Sequence, residues 1–290
     1  MKGDIDILHH VGLVVRDLDA ALATYERLGF MFSPLSMHRI ALRPGAPLEP
    51  AGTGNRCSIF QRNFLEVVAH IVKDRYDFGI PEFLKRYEGL HIICFGADDL
   101  TTAHERLRRE GITASDVIHL ERNIDTPEGE RMMEADCLHF AKAENPEGLV
   151  QAAQHLTPQY VLQPRYMNHR NGAVALTEVI VCAEAPDTVQ SKYERYTGRR
   201  GERRGVARVV GLPHSRVTIV GPDDLGQVLP GCKPPTMPFM AGFTVAARDP
   251  GTVRRVLGEG GISFVEHDGR VIVLPEHACG TAVVFEPWRG

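Results

Sequence analysis

No two cysteines in this sequence have CxxC spacing. The six of them, Cys57, Cys94, Cys137, Cys182, Cys232 and Cys279, are scattered, which disfavours a zinc knuckle or a dithiol redox centre and predicts reduced, mostly buried thiols. Also missing is any apolar run long enough to span a bilayer. The opening MKGDIDILHH carries acids where a leader peptide needs bases, so no membrane partner and a cytoplasmic location are expected. Nor does one sign of charge dominate: with a formal net charge of -4 and acids and bases intermixed, no nucleic-acid partner is expected. The densest basic stretch, Arg199-Arg200-Gly201-Glu202-Arg203-Arg204, is short, contains a glutamate and reads as a solvated loop. Apolar material is plentiful. A content of 43% hydrophobic and 24% charged over 290 residues excludes a disordered chain and suffices for about two domains of roughly 150 residues each.

The chain repeats itself. Residues 9–30, HHVGLVVRDLDAALATYERLGF, give an apolar strand, an Asp able to cap a helix, a helix with Leu18, Ala21, Leu22, Tyr25 and Leu28 at helical spacing, then Gly29 in the place of a left-handed terminator. The same order recurs at 89–112, where Leu100 and Gly111 keep the interval of Leu18 and Gly29, and again at 176–198 and 241–262. In the last copy Asp249-Pro250 has the form of an N-cap followed by proline at the first helical position. After each helix come strand-like segments such as Asn55–Gln61, Phe64–Ile71, Arg216–Val220 and Arg270–Leu274. The expected fold is α+β: four βαβββ modules paired into an N-terminal domain, 1–157, and a C-terminal domain, 172–290, joined by the proline-containing stretch Thr157–Asn171.

The segments HVGLVVRDLDAALATYERLGF and FLEVV closely resemble the first module of glyoxalase-like proteins of the vicinal-oxygen-chelate superfamily. QHLTPQYVLQPRYMNHRNGA resembles the joining segment of its two-domain members. The resemblance implies cupped, incompletely closed barrels whose concave face commonly holds a divalent metal. Strand alternation can be set against this. His10, Gly12 and Val14 share one face of the first strand, opposite Val11, Leu13 and Val15, and in FLEVVAHI Glu66 lies opposite Leu65, Val67, Ala69 and Ile71. A carboxylate in so apolar a strand needs a cation or hydrogen bonds.

His10 and Glu66 match two of the family's ligand positions, and the resemblance implies a divalent ion there: Zn, Ni, Co, Mn or Fe. Aligned through Leu100 and Gly111, the third position falls on Ile92, with His91 one place early. A bulge near Gly96 would restore its register and make His91 the third ligand. Gln151 stands at the fourth position, where many relatives carry Glu. It can orient a substrate but cannot take a proton, so the base role would pass to Glu66. Asn55, Arg56 and Arg122 are candidates to bind a substrate carboxylate or carbonyl. The C-terminal slots hold Glu178 and Gly242, with Glu286 near the end of the last strand, so that half is expected to be structural or to form a homodimer. The leading expectation is a metal-dependent lyase or isomerase of a small-molecule oxygenated substrate. A ring-cleaving dioxygenase and a non-catalytic ligand-sequestering protein are the alternatives.

Overall fold

The computed structural model describes residues 4–40 and 46–289. The first repeat forms β1 (Ile5–Val14), α1 (Leu18–Arg27), β2 (Ser36–Ile40), β3 (Glu49–Ile59) and β4 (Phe64–His70). A short helix α2 (Ile80–Arg86) leads into β5 (Gly89–Ala97), α3 (Leu100–Arg109), β6 (Ile118–Thr126), β7 (Gly129–His139) and β8 (Leu149–His155). The single-turn α4 (Pro158–Val161) precedes β9 (Ala173–Cys182), α5 (Pro186–Thr197), β10 (Gly201–Arg204), β11 (Ala207–Gly211) and β12 (Arg216–Val220). Then come α6 (Leu225–Val228), β13 (Phe239–Ala247), α7 (Pro250–Glu259), β14 (Val265–His267), β15 (Arg270–Val273) and β16 (Ala282–Pro287).

Local chemistry sets the helix ends. The side chains of Asp17, Asp99 and Asp249 accept hydrogen bonds from the first turns of α1, α3 and α7, and Pro250 occupies the first position of α7. Gly29 and Gly111 follow their helices with φ of +90° and +66°, where a side chain would be strained. In every module the first strand pairs in parallel with the last: β1 with β4, β5 with β8, β9 with β12, β13 with β16. Antiparallel pairing of β1 with β5 and of β9 with β13, and a contact of Met240 with Leu90, connect all the strands into one sheet.

The helices cover one face of that sheet. Val11, Leu13 and Val15 after β1, with Leu65, Val67 and Ala69 of β4, meet Tyr25 of α1, Leu107 of α3, Tyr193 of α5 and Leu257 of α7 in one apolar cluster drawn from all four modules. Burying such side chains contributes about 1.5–3 kcal/mol each. The other face of the N-terminal strands curves into a cup. All six cysteines are free, five of them buried, and among the described residues no helix is long and apolar enough to cross a membrane.

Two segments differ from their reading in the sequence. Of the stretch Arg199–Arg204, Arg199 and Arg200 lie outside any strand, but Gly201–Arg204 form β10, which pairs with β11 at the end of the sheet, where its Glu202, Arg203 and Arg204 stay in water. The joining stretch is also packed wall. Val161 sits among Cys57, Phe64 and Met133, Gln163 Nε2 donates to Asp125 O at 2.8 Å, and His169 Nε2 donates to Ile59 O at 2.8 Å.

Asn63, after β3, bridges the halves. Its Nδ2 donates to Leu8 O (3.2 Å) and Leu176 O (2.7 Å), and its Oδ1 accepts from Leu176 N (2.9 Å). Asn63→Ala strands buried backbone groups of β1 and β9, so a loss of about 2–3 kcal/mol in urea unfolding is expected; a loss below about 0.5 kcal/mol would show that the bridge contributes nothing.

Candidate active site in the N-terminal cup

β1 runs between β4 and β5, and its register fixes the cup. Gly12 pairs with Glu66 and His10 with Cys94, so His10 and Glu66 rise from one face a single pleat apart. His10 Nε2 and Glu66 Oε2 face each other at 4.0 Å. The His10 ring stacks on Phe64 with centroids 4.6 Å apart. Glu66 lies between Phe64, in an apolar cluster with Cys57, Ile59 and Met133, and Val68, in another with Val14, Ile80 and Ile92. Both His10 and Glu66 are 8% exposed.

A bulge adds His9. Leu8 pairs with Phe95 and His10 with Cys94, so two residues of β1 oppose one of β5 and His9 is the extra residue. Strict alternation would send His9 toward the helices with Val11. Instead its Nδ1 lies 2.8 Å from His10 Nδ1, and its ring centroid is 4.3 Å from that of His155 at the end of β8. Nitrogens of His9 and His10 and Cys94 Sγ all fall within 4.8 Å of one another, the one group of three donors among the described residues that could take a metal ion. Their N and S chemistry suits a borderline divalent cation.

A hydrogen-bond chain runs into the same hollow. Arg122 of β6 donates from NH1 to Asn55 Oδ1 at 3.1 Å, which orients the Asn55 amide. Asn55 Nδ2 then donates to Glu66 Oε1 and, at 2.9 Å, to His38 Nε2. Since His38 Nε2 accepts, its Nδ1 carries the proton and donates to Thr53 Oγ1 at 2.8 Å. Arg122 makes no ion pair among the described residues, and its Nε is buried without a partner. Arg122, Asn55, Cys57, Ser36, Tyr160 and Tyr166 line a cavity of about 50 Å³, the space of one or two waters at about 30 Å³ each.

Burial governs the charges. It lowers His9 to about 4 and His38 to about 3, with the positive field of Arg122 adding to the effect. His10 is lowered well below its ordinary value, by burial and then by the neighbouring imidazoles and Arg122. His10 therefore faces Glu66 as a neutral ring. The Glu66 carboxyl is raised by burial, although the Asn55 hydrogen bond and Arg122 work against this. Arg122 is the permanent cation of the cup.

His10, Glu66, Asn55 and Arg122 thus come together, Gln151 lies beside them next to Cys94, and two other expected residues stand elsewhere. Arg56 takes the opposite face of β3 and donates from Nε to Ser33 O at 2.7 Å. His91 is the extra residue of a bulge, since Gly12 pairs with Ile92 and Leu13 with Leu90. That irregularity lies five residues from Gly96 and does not bring His91 to His10. Its ring packs against Phe83 and Tyr87 at 4.9 and 4.0 Å, and its Nε2 donates to Tyr87 O at 2.9 Å. Ile92 keeps the slot equivalent to His10 and fills the space left by Gly12, where a Cβ would come within 2.7 Å of it. Gln151 pairs with Cys94 across β5 and β8 and accepts from Cys137 Sγ at 3.7 Å. His9, His38 and His155 escape sequence reading. The His9-His10 doublet was their only signal, because a bulge cannot be read from one strand alone.

The C-terminal counterpart is closed. Arg216 forks onto Glu178 at 2.8 and 3.0 Å, Thr218 and Thr244 each donate to it at 2.5 Å, and Arg216 also reaches Glu286 at 2.8 Å. Burial would raise Glu178, but Arg216 and Arg270 outweigh it and hold the carboxyl below its ordinary value.

The buried imidazoles make stability depend on pH in one direction. Above pH 6.5 they are neutral in folded and unfolded chains alike. As pH falls from 6.5 through about 4, the unfolded chain binds protons that folded His9 refuses, and stability is lost. Each such histidine contributes on the order of 1 kcal/mol per pH unit over its window. Melting temperature should therefore fall between pH 7 and 4, less steeply in His9→Gln; equal slopes for the two proteins would contradict the assignment.

The profile of a family described as a glyoxalase-like domain matches residues 8–197. No curated protein matches the sequence. Among solved structures, a hypothetical protein from Staphylococcus aureus aligns with TM-score 0.62 and 12% identity over 97% of this chain and 98% of its own. A triple mutant of 4-hydroxymandelate synthase from Streptomyces coelicolor gives 0.59 and 14%, covering 99% and 94%. The Mn(II)-bound glyoxalase from Novosphingobium aromaticivorans gives 0.55 and 12%, covering 98% and 82%. At such identities these likenesses speak to fold alone; the profile match, over more than half of the sequence, shows the lineage: the chain belongs to the glyoxalase-like domain family.

Proposed function

We propose that this protein is a metal-assisted lyase or isomerase that moves a proton on a small, anionic, oxygenated substrate, with Glu66 as the proton carrier. The observation that carries this reading is Glu66 itself: among the described residues it is the one buried carboxylate facing the cup, and Asn55 holds it by a single oxygen. Oε2 accepts no hydrogen bond among the described residues and faces His10 Nε2 at 4.0 Å. Burial raises its proton affinity, which suits a group that takes a proton from carbon and returns it. Gln151, at the equivalent place on β8, has no such capacity.

Arg122 supplies the anion site. A half-buried guanidinium with its Nε buried and unpartnered and no carboxylate partner among the described residues, beside a cavity of about 50 Å³, fits a carboxylate or a carbonyl oxygen gathering negative charge. Asn55 couples the two groups, so substrate drawn to Arg122 lies next to Glu66. His10, neutral and facing Glu66, offers a nitrogen donor to a divalent cation. Such a cation would polarise two adjacent substrate oxygens and stabilise the charge that forms when the proton leaves.

The test is hydrogen exchange. Protein reconstituted with Mn²⁺, Co²⁺, Ni²⁺ or Zn²⁺ is incubated in D₂O with a panel of α-hydroxy and α-keto acids and α-hydroxy thioesters, and deuterium at the α-carbon is followed by NMR. Exchange with at least one of them is expected, falling about 10²–10⁴-fold in Glu66→Gln, with Arg122→Leu mainly raising KM. Exchange that survives Glu66→Gln, or turnover that consumes dioxygen instead, would overturn the proposal.

A further inference from the structure

We propose that the cation is held by His9, His10 and Cys94, through two imidazole nitrogens and a thiolate, and that Glu66 stays outside its coordination sphere. This rests on the metal-assisted reading above and deepens it. Two of the four equivalent slots in the cup carry Ile92 and Gln151, one without a donor and the other turned to a thiol. The bulge in β1 brings a replacement set: the three donor atoms lie within 4.8 Å of one another, and all three residues are buried. Bonds of about 2.0–2.1 Å to nitrogen and 2.3 Å to sulfur span such a triangle after small rotations of the rings.

The proton inventory closes. The Cys94 thiol now donates to Phe95 O at 3.5 Å, and on binding it releases its proton to solvent. The proton shared between His9 Nδ1 and His10 Nδ1, 2.8 Å apart, must leave both lone pairs. When His10 binds through Nδ1, its remaining proton sits on Nε2, aimed at Glu66 Oε2 only 4.0 Å away. That is the carboxylate–histidine–metal relay that fixes ring orientation in metalloproteins. Oε2 then meets the His10 proton and Oε1 the Asn55 amide, so Glu66 orients the ligand and reaches substrate through a remaining lone pair of one of these oxygens. Gln151, paired with Cys94 in register, is placed to donate its amide to the sulfur.

Cobalt(II) reports the donors directly, because thiolate coordination adds a near-ultraviolet charge-transfer band that nitrogen and oxygen ligands lack. The wild-type protein should bind one Co²⁺ with this band. Cys94→Ser should lose the band and weaken binding more than about 100-fold, beyond the loss expected for a supporting residue. Glu66→Gln should keep both band and stoichiometry, and Cys57→Ala, in the same cup, should keep the band. Cobalt bound without a thiolate band, or a band that survives Cys94→Ser, overturns this donor set and leaves the proton-transfer proposal standing. Loss of cobalt in Glu66→Gln does the same. A wild-type chain that binds no cobalt overturns both. Should Cys94→Ser fail to fold by thermal melting, the wild-type spectrum and the other two variants still decide.

Discussion

The register of β1 between its two neighbours governs everything polar in the N-terminal cup. Parallel pairing with β4 sets Glu66 one pleat from His10, and antiparallel pairing with β5 sets Cys94 beside it. One added residue in β1, His9, turns a single imidazole into an adjacent pair. A slip of one residue would send His10 into the apolar layer under the helices, where Val11 and Leu13 now pack, and leave Glu66 without company.

Two halves built on one plan handle buried charge in opposite ways. In the C-terminal half, Glu178 is met by Arg216, Arg270 and two threonines, and no open valence is left for a ligand. Breaking such a pair is costly because it strands a charge in a low-dielectric interior. The N-terminal half keeps its imidazoles neutral and its carboxyl only singly bonded, and holds Arg122 away from a counter-ion. Its unsatisfied groups give a ligand something to bind.

Much of this was legible in the sequence, for identifiable reasons. Helical periodicity and capping aspartates marked α1, α3 and α7, and the alternation of apolar residues placed His10 and Glu66 on one face. Both signals are local. The bulge at His9 depends on the partner strand and is invisible in β1 alone. His38 was missed because β2 is short and half-exposed and carries no clear alternation. The proline-containing stretch after β8 read as a connector because prolines punctuate it, yet Tyr160, Val161, Gln163 and Tyr166 wall the cavity. His91 went the other way: its bulge lies between Gly12 and Leu13 of the partner rather than near Gly96, and aromatic neighbours claim the ring.

Ile92 occupies the place that mirrors His10, and with Val14, Val68 and Ile80 it makes that side of the cup a smooth hydrocarbon wall. The hollow is consequently handed. On the proposed assignment, a molecule anchored on Arg122 would meet Glu66 from one direction only, with no second buried carboxyl across from it among the described residues. A prochiral centre turned over there would gain and lose hydrogen on the same side, so its configuration would be preserved rather than scrambled.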